Sequence, residues 1–217
     1  MMNMIVFHPD ENLCRTIESG IMKQPKVTIL PASYEELAES GLLDGAAVVV
    51  PGNGFGIMEY GLAAAAAREN EHLQRCVQTL IARLYGVEMP VGTALILPTP
   101  SDHILYAPTM QVPMDIAGTD NVYRSARAAA RMAKNNKTET LYLPLMGCGA
   151  GCMEPMEAVW QMLCGVYDGT LEVEAAELTW AYADRLHLQW HEMLSVPDDG
   201  YRFAEQMGES KDDAMAD

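Results

Sequence analysis

The chain has 217 residues, 49% of them hydrophobic and 20% charged, which is ample for one domain with a substantial core. Its formal charge of −16 excludes the broad basic surface with which proteins grip nucleic acid or an anionic membrane. Any phosphate it binds must be held by backbone dipoles instead.

Met4–Phe7 is a short apolar run, expected as a first strand, and His8-Pro-Asp-Glu11 breaks it. Leu13, Ile17 and Ile21 then recur at helical spacing, stopping near Gly20. Val27–Leu30 is a second predicted strand. Ser33 and Glu36 form a capping box for a helix through Leu43. Ala46–Val50 is apolar at every residue, which predicts a strand covered on both faces. Pro51–Gly56 ends it in turn residues; glycine and alanine, the alanines favouring helix, dominate Gly61–Ala67, and a long helical pattern then runs to about Leu84.

Gly92–Leu97 and His103–Ala107 are predicted strands joined through Pro98–Asp102, and the loop Pro108–Pro113 follows. Asn121–Lys134 is a predicted helix with a small apolar face of Val122, Ala126, Ala129, Ala130 and Ala133. Thr140–Leu143 reads as a strand and Met156–Tyr167 as a helix, with another helix from about Leu171 into Glu192. Strands and helices alternate without a repeat period, so residues 1–195 are expected to form one α/β domain. Residues 196–217 carry seven acids against Arg202 and Lys211 and read as a flexible acidic tail.

The segment Leu141-Tyr-Leu-Pro-Leu-Met-Gly-Cys-Gly-Ala-Gly-Cys152 is the most informative in the chain. Glycines on alternate positions leave the backbone bare between a strand and a helix, so several N–H groups can approach one anion. The spacing is G-x-G-x-G, without the lysine of a P-loop or the full dinucleotide fingerprint, and a plain tight turn is the competing reading. Five cysteines (14, 76, 148, 152 and 164) are an odd number in a chain of this size and read as reduced thiols, so a cytoplasmic setting is expected. Cys148 and Cys152 bracket the glycine loop; packing of small side chains against crowded backbone explains them better than a bond or a metal. The N-terminus lacks the basic and long apolar regions of a secretion signal, and no apolar run approaches a membrane span.

Three loops, 51–62, 108–120 and 144–153, follow three apolar strands, where ligands of open α/β sheets gather. The ordered set Val49-Val-Pro-Gly-Asn53 with Gly61-Leu-Ala, Ile104-Leu-Tyr-Ala-Pro-Thr109, and Leu143 to Gly151 resembles the macrodomain family over roughly residues 25–165. The resemblance implies a three-layer α/β/α fold with a mixed, mostly parallel central sheet. It also implies binding of ADP-ribose or a related ADP-ribosyl or NAD-derived nucleotide, with hydrolysis of an ADP-ribosyl bond in some members.

Carried over by position, Asn53 matches the second asparagine of the family's N-x-x-N segment, near the distal ribose; Val50 stands in place of the first. Asn53 is then a ligand or water-positioning residue, or else a turn former. Gly52 and Gly54 flank it, and Gly61 matches a glycine that approaches the diphosphate. Glu59 and Tyr60 stand where small residues are usual, Glu59 being a solvated acid or a general base. Ala63 replaces an aspartate of some hydrolytic members. Gly147, Cys148, Gly149, Ala150, Gly151 and Cys152 match the diphosphate loop, Met153 the contact to the distal ribose, and Pro108, Thr109 and Met110 the remaining wall. For adenine, Asp10 or Ser33 is the available partner.

Tyr123, Arg124 and Arg127 open a helix near the second loop and either reach a phosphate or balance surface acids. His187, His191 and Glu192 share a helical face, but without a third ligand from elsewhere no metal site is assigned. The expected function is nucleotide binding in a glycine-loop cleft, with hydrolysis, a non-catalytic reader or sponge, and a ligand-free interaction protein as the alternatives. No cofactor, nucleic-acid partner or membrane is expected, and the oligomeric state stays open.

Overall fold

In the computed structural model, residues 2–21, 26–99 and 103–186 are described. Six strands form one sheet: β1 (Asn3–His8), β2 (Val27–Pro31), β3 (Ala47–Asn53), β4 (Leu95–Pro98), β5 (His103–Met110) and β6 (Thr140–Pro144). Their order is β2-β1-β6-β3-β5-β4, with every pair parallel except β4 against β5. The helices packed with it are α1 (Glu11–Gly20), α2 (Tyr34–Ser40), α3 (Gly61–Glu69), α4 (Leu73–Leu84), α5 (Asn121–Asn135) and α6 (Pro155–Thr170).

Alternation along the strands divides the interior into two cores. Val6, Ala47, Val49, Leu105, Leu141 and Leu143 face residues of α1, α5 and α6. Phe7, Val48, Val50, Ile104, Tyr106 and Tyr142 face α2, α3 and α4. Successive strand side chains point to opposite faces, so Ala47–Val50 is fully buried because both faces are covered. The result is a three-layer α/β/α fold with a mixed, mostly parallel sheet.

On one face, α6 lies close against α5 because Gly165 and Gly169, one turn apart, leave room. A Cβ on Gly165 would come within 2.6 Å of the Tyr123 carbonyl, and one on Gly169 within 2.5 Å of that of Arg127. The small face predicted for α5 is what they meet, and Val122, Ala126, Ala129, Ala130 and Ala133 are all buried.

Three expectations need correction. The long helical pattern expected after Ala67 starts later, since α3 and α4 are separate helices. Asn70 closes α3 with both its N–H and its side-chain amide on the Ala66 carbonyl, and α4 restarts at Leu73. The strand expected from Gly92 begins at Leu95. No helix starts at Leu171: its carbonyl accepts from Arg131 at 2.6 Å, that of Thr170 accepts from Lys134, and a short 3-10 turn (Ala175–Glu177) follows. Helix resumes at 180 and runs to 186, the last described residue. His187, His191, Glu192 and the acidic segment 196–217 lie outside the described residues. Among the described residues, no helix is long and apolar enough to cross a membrane.

Candidate functional site

A cleft of about 740 Å³ opens at the carboxyl ends of β1, β6, β3 and β5. Strand ends gather there because every one of these strands runs the same way. Two loops and one helix start face each other across it.

The loop after β6 supplies Gly147, Gly149, Ala150 and Gly151 to the lining. Its shape is closed by Cys152 N–H on the Gly149 carbonyl at 3.0 Å and Met153 N–H on that of Gly147 at 3.1 Å. Gly147 has φ +81°, and a Cβ there would lie 2.7 Å from Val122. A Cβ on Gly151 would lie 2.5 Å from the Gly147 carbonyl. Gly149 differs: nothing stands within 4 Å of its Cβ position. Among the described residues, none accepts a hydrogen bond from the N–H of Gly147, Cys148, Gly149, Ala150 or Gly151.

Opposite stands the start of α3, with Gly61, Leu62 and Ala63 in the lining. Tyr60 occupies its N-cap position and gives no side-chain cap, so the N–H groups of Gly61, Leu62 and Ala63 have no partner among the described residues. A helix start without a cap favours an anion through both its N–H groups and its dipole.

The loop after β3 is organised differently. Asn53 Oδ1 accepts from the N–H of Phe55 at 3.0 Å and of Ile57 at 3.2 Å, and its Nδ2 donates to the Ile57 carbonyl at 2.8 Å. Tyr106, fully buried in β5, holds the same residue's backbone: its hydroxyl accepts from Asn53 N–H at 3.0 Å and donates to Asn53 O at 2.6 Å. Burial pushes that phenol's pKa up, so it stays protonated as the donor. Gly52 has to be glycine, since a Cβ would lie 2.2 Å from the Tyr106 hydroxyl.

Of the residues assigned to the site from the sequence, Gly52, Asn53, Glu59, Gly61, Thr109, Gly147, Gly149, Ala150 and Gly151 all line the cleft. Five do not. Gly54 turns to β5, donating to the Gln111 carbonyl and accepting from Met89. Pro108 directs its carbonyl at Ser125 Oγ, 2.6 Å away. Met153 is 2% exposed and packed in the core between the sheet and α5. Cys152 has φ +54° and an exposed side chain outside the lining. Cys148 packs against the core, where burial, with Glu154 and Glu157 near, pushes its thiol up to about 12. That thiol is no nucleophile.

Several other candidates are occupied elsewhere. Asp10 accepts from the N–H of Asn12 and Leu13 to cap α1. Ser33 lines the cleft while capping α2. Tyr123 donates to Asp168 at 2.6 Å, Arg124 pairs with Asp120, and Arg127 sits over the Tyr123 ring. No two of the five cysteines form a disulfide. Among the described residues, no three metal-ligating side chains gather.

The sequence reading missed the end of the cleft formed by His8, Pro9, Tyr34, Glu35 and Arg68. The signal was present in His8-Pro9, which ends the first apolar strand just as the other loops end theirs. Arg68 pairs with Glu35 at 2.9 Å on the exposed rim, so the lining gains little net positive charge.

No family model and no curated protein matches the chain by sequence. Its fold is similar to the macrodomain of Mycobacterium tuberculosis DarG, at 16% identity and a TM-score of 0.51, over 57% of this chain and 82% of that one. It is also similar to Thermosipho africanus DarTG, solved in complex with ADP-ribose, at 14% identity and a TM-score of 0.51. That match covers 77% of this chain and 51% of the other, so the chain spans about half the length of that relative. Set beside the sheet order and the two facing loops, these likenesses establish that the chain has a macrodomain fold, in a divergent form.

Proposed function

We propose that the cleft binds ADP-ribose or a related nucleotide, the diphosphate lying between the 147–151 loop and the start of α3. The observation that carries this reading is the pair of unpartnered N–H groups sets, at Gly147–Gly151 and at Gly61–Ala63, lining one cleft. An acidic protein with a single ion-paired arginine in the lining has no basic patch for phosphate, and backbone dipoles do that work without one. The cleft volume of about 740 Å³ lies within the range of small-molecule sites.

Binding is better supported than turnover. A water-positioning role for Asn53 needs a free amide, and three bonds to its own loop engage this one. Ala63 offers no carboxylate, and Glu59 is exposed at the rim. The reading is therefore a nucleotide reader. Calorimetric titration with ADP-ribose, with AMP and ribose 5-phosphate as comparators, tests it: micromolar binding selective for ADP-ribose is expected. Absence of heat and of any thermal shift with all three would remove the reading.

A further inference from the structure

The cleft has two unlike ends. Toward β1 and β2 its lining carries the polar side chains of His8, Ser33 and the Glu35–Arg68 pair beside Phe7, Pro9 and Tyr34. Toward β5 it is apolar, with Phe55, Ile57, Val112 and Pro113. These come from two loops far apart in sequence, one after β3 and one after β5. Ile57 is 43% exposed and Val112 49%, so the end is an open slot and not a filled core. Glu59 and Tyr60, which follow Ile57 in the same loop, also line the cleft; Tyr60 is 80% exposed, and no cation pairs with Glu59 among the described residues.

ADP-ribose ends, beyond its diphosphate, in a ribose whose anomeric carbon carries only a hydroxyl, which gains little on such walls. A flat ring gains burial there instead, and a positively charged ring also gains from Tyr60 and Glu59. The strands carrying the two ends are three steps apart in the sheet, about 14 Å at about 4.8 Å per step. That leaves room for a group on each side of the phosphates.

We propose that the ligand is an intact nicotinamide dinucleotide, with its ring in the slot between Ile57 and Val112 and under Tyr60. The proposal rests on the nucleotide reading above and names the ligand class for the same cleft. No bond is made or broken.

The test is titration of the full chain with NAD, NADH and ADP-ribose in one buffer. NAD is expected to bind about 10-fold more tightly than ADP-ribose, a difference of about 1.4 kcal/mol. Val112→Asn, at an exposed position, is expected to bring the ratio of the two affinities close to one. Glu59→Gln is expected to weaken NAD about 3-fold relative to NADH, whose ring is uncharged. ADP-ribose binding as tightly as NAD to the unaltered protein would overturn the proposal and leave the nucleotide reading standing. Failure of all three ligands to bind would overturn both.

Discussion

The two loops that face each other across the cleft are built on opposite plans. The loop after β3 is held by a side chain: Asn53 ties Phe55 and Ile57 to itself, and Tyr106 locks its backbone from the sheet. The loop after β6 is held by the absence of side chains, Gly147 and Gly151 lying where a Cβ would meet Val122 or a carbonyl. One loop spends its polar groups on its own shape and becomes a wall. The other keeps its N–H groups unspent, which makes it the part able to hold an anion.

Gly149→Glu separates the plans most sharply. Its Cβ meets nothing and its φ is not positive, so the fold should tolerate the change while a carboxylate enters the anion site. The expected result is a loss of ADP-ribose affinity of about 100-fold or more by calorimetry, with an unchanged thermal midpoint. Lower affinity with a collapsed midpoint would mean that Gly149 shapes the loop as its neighbours do.

Gly151→Ala does the reverse. With the Gly147 carbonyl 2.5 Å from the new methyl, the substitution is expected to cost about 2–3 kcal/mol in urea unfolding. A neutral result would show that the loop relaxes freely, and the distinction between shaping and open glycines would fall.

Asn53→Ala probes the wall. Losing three bonds that organise a partly exposed loop is expected to cost about 1–2 kcal/mol of stability and to weaken binding less than Gly149→Glu does. Turnover of an ADP-ribosylated substrate by the unaltered protein, lost in this variant while stability and affinity are kept, would make Asn53 catalytic and reverse the present assignment.

The smallest effect concerns the two cysteines of the second loop. A raised pKa keeps a thiol neutral and unreactive until the pH approaches it, so Cys148, pushed up to about 12, should resist alkylation at pH 8 to 9. Exposed Cys152 should be labelled under the same conditions, read by peptide mass mapping. Equal labelling would place Cys148 outside the core.

Much of this was legible before any fold was known. Periodicity marked the apolar run Ala46–Val50, the small face of α5 and the capping box at Ser33, because each is a local pattern tied to one element. The glycine loop after β6 was legible for the same reason. The direction of side chains near it was not. Met153 and Cys148 sit within or beside the loop, yet they turn into the core between sheet and α5. Gly54 sits beside Asn53 and serves β5. Neighbours in sequence diverge in space wherever a loop turns at each residue, and no period reports that.

What the sequence determined by itself is the alternation of strands and helices, the covered sheet and the glycine-bare turn, since all three follow from local sterics and apolar spacing. Only the tertiary structure decided which polar groups remain unspent. Asn53 meets its partners through the curl of its own loop, and Tyr106 reaches it from 53 residues away. The uncapped start of α3 comes opposite the bare amides because β3 and β6 lie side by side in parallel. Hydrogen bonds are claimed by proximity in space, and so the line between wall and binding surface was drawn by the fold.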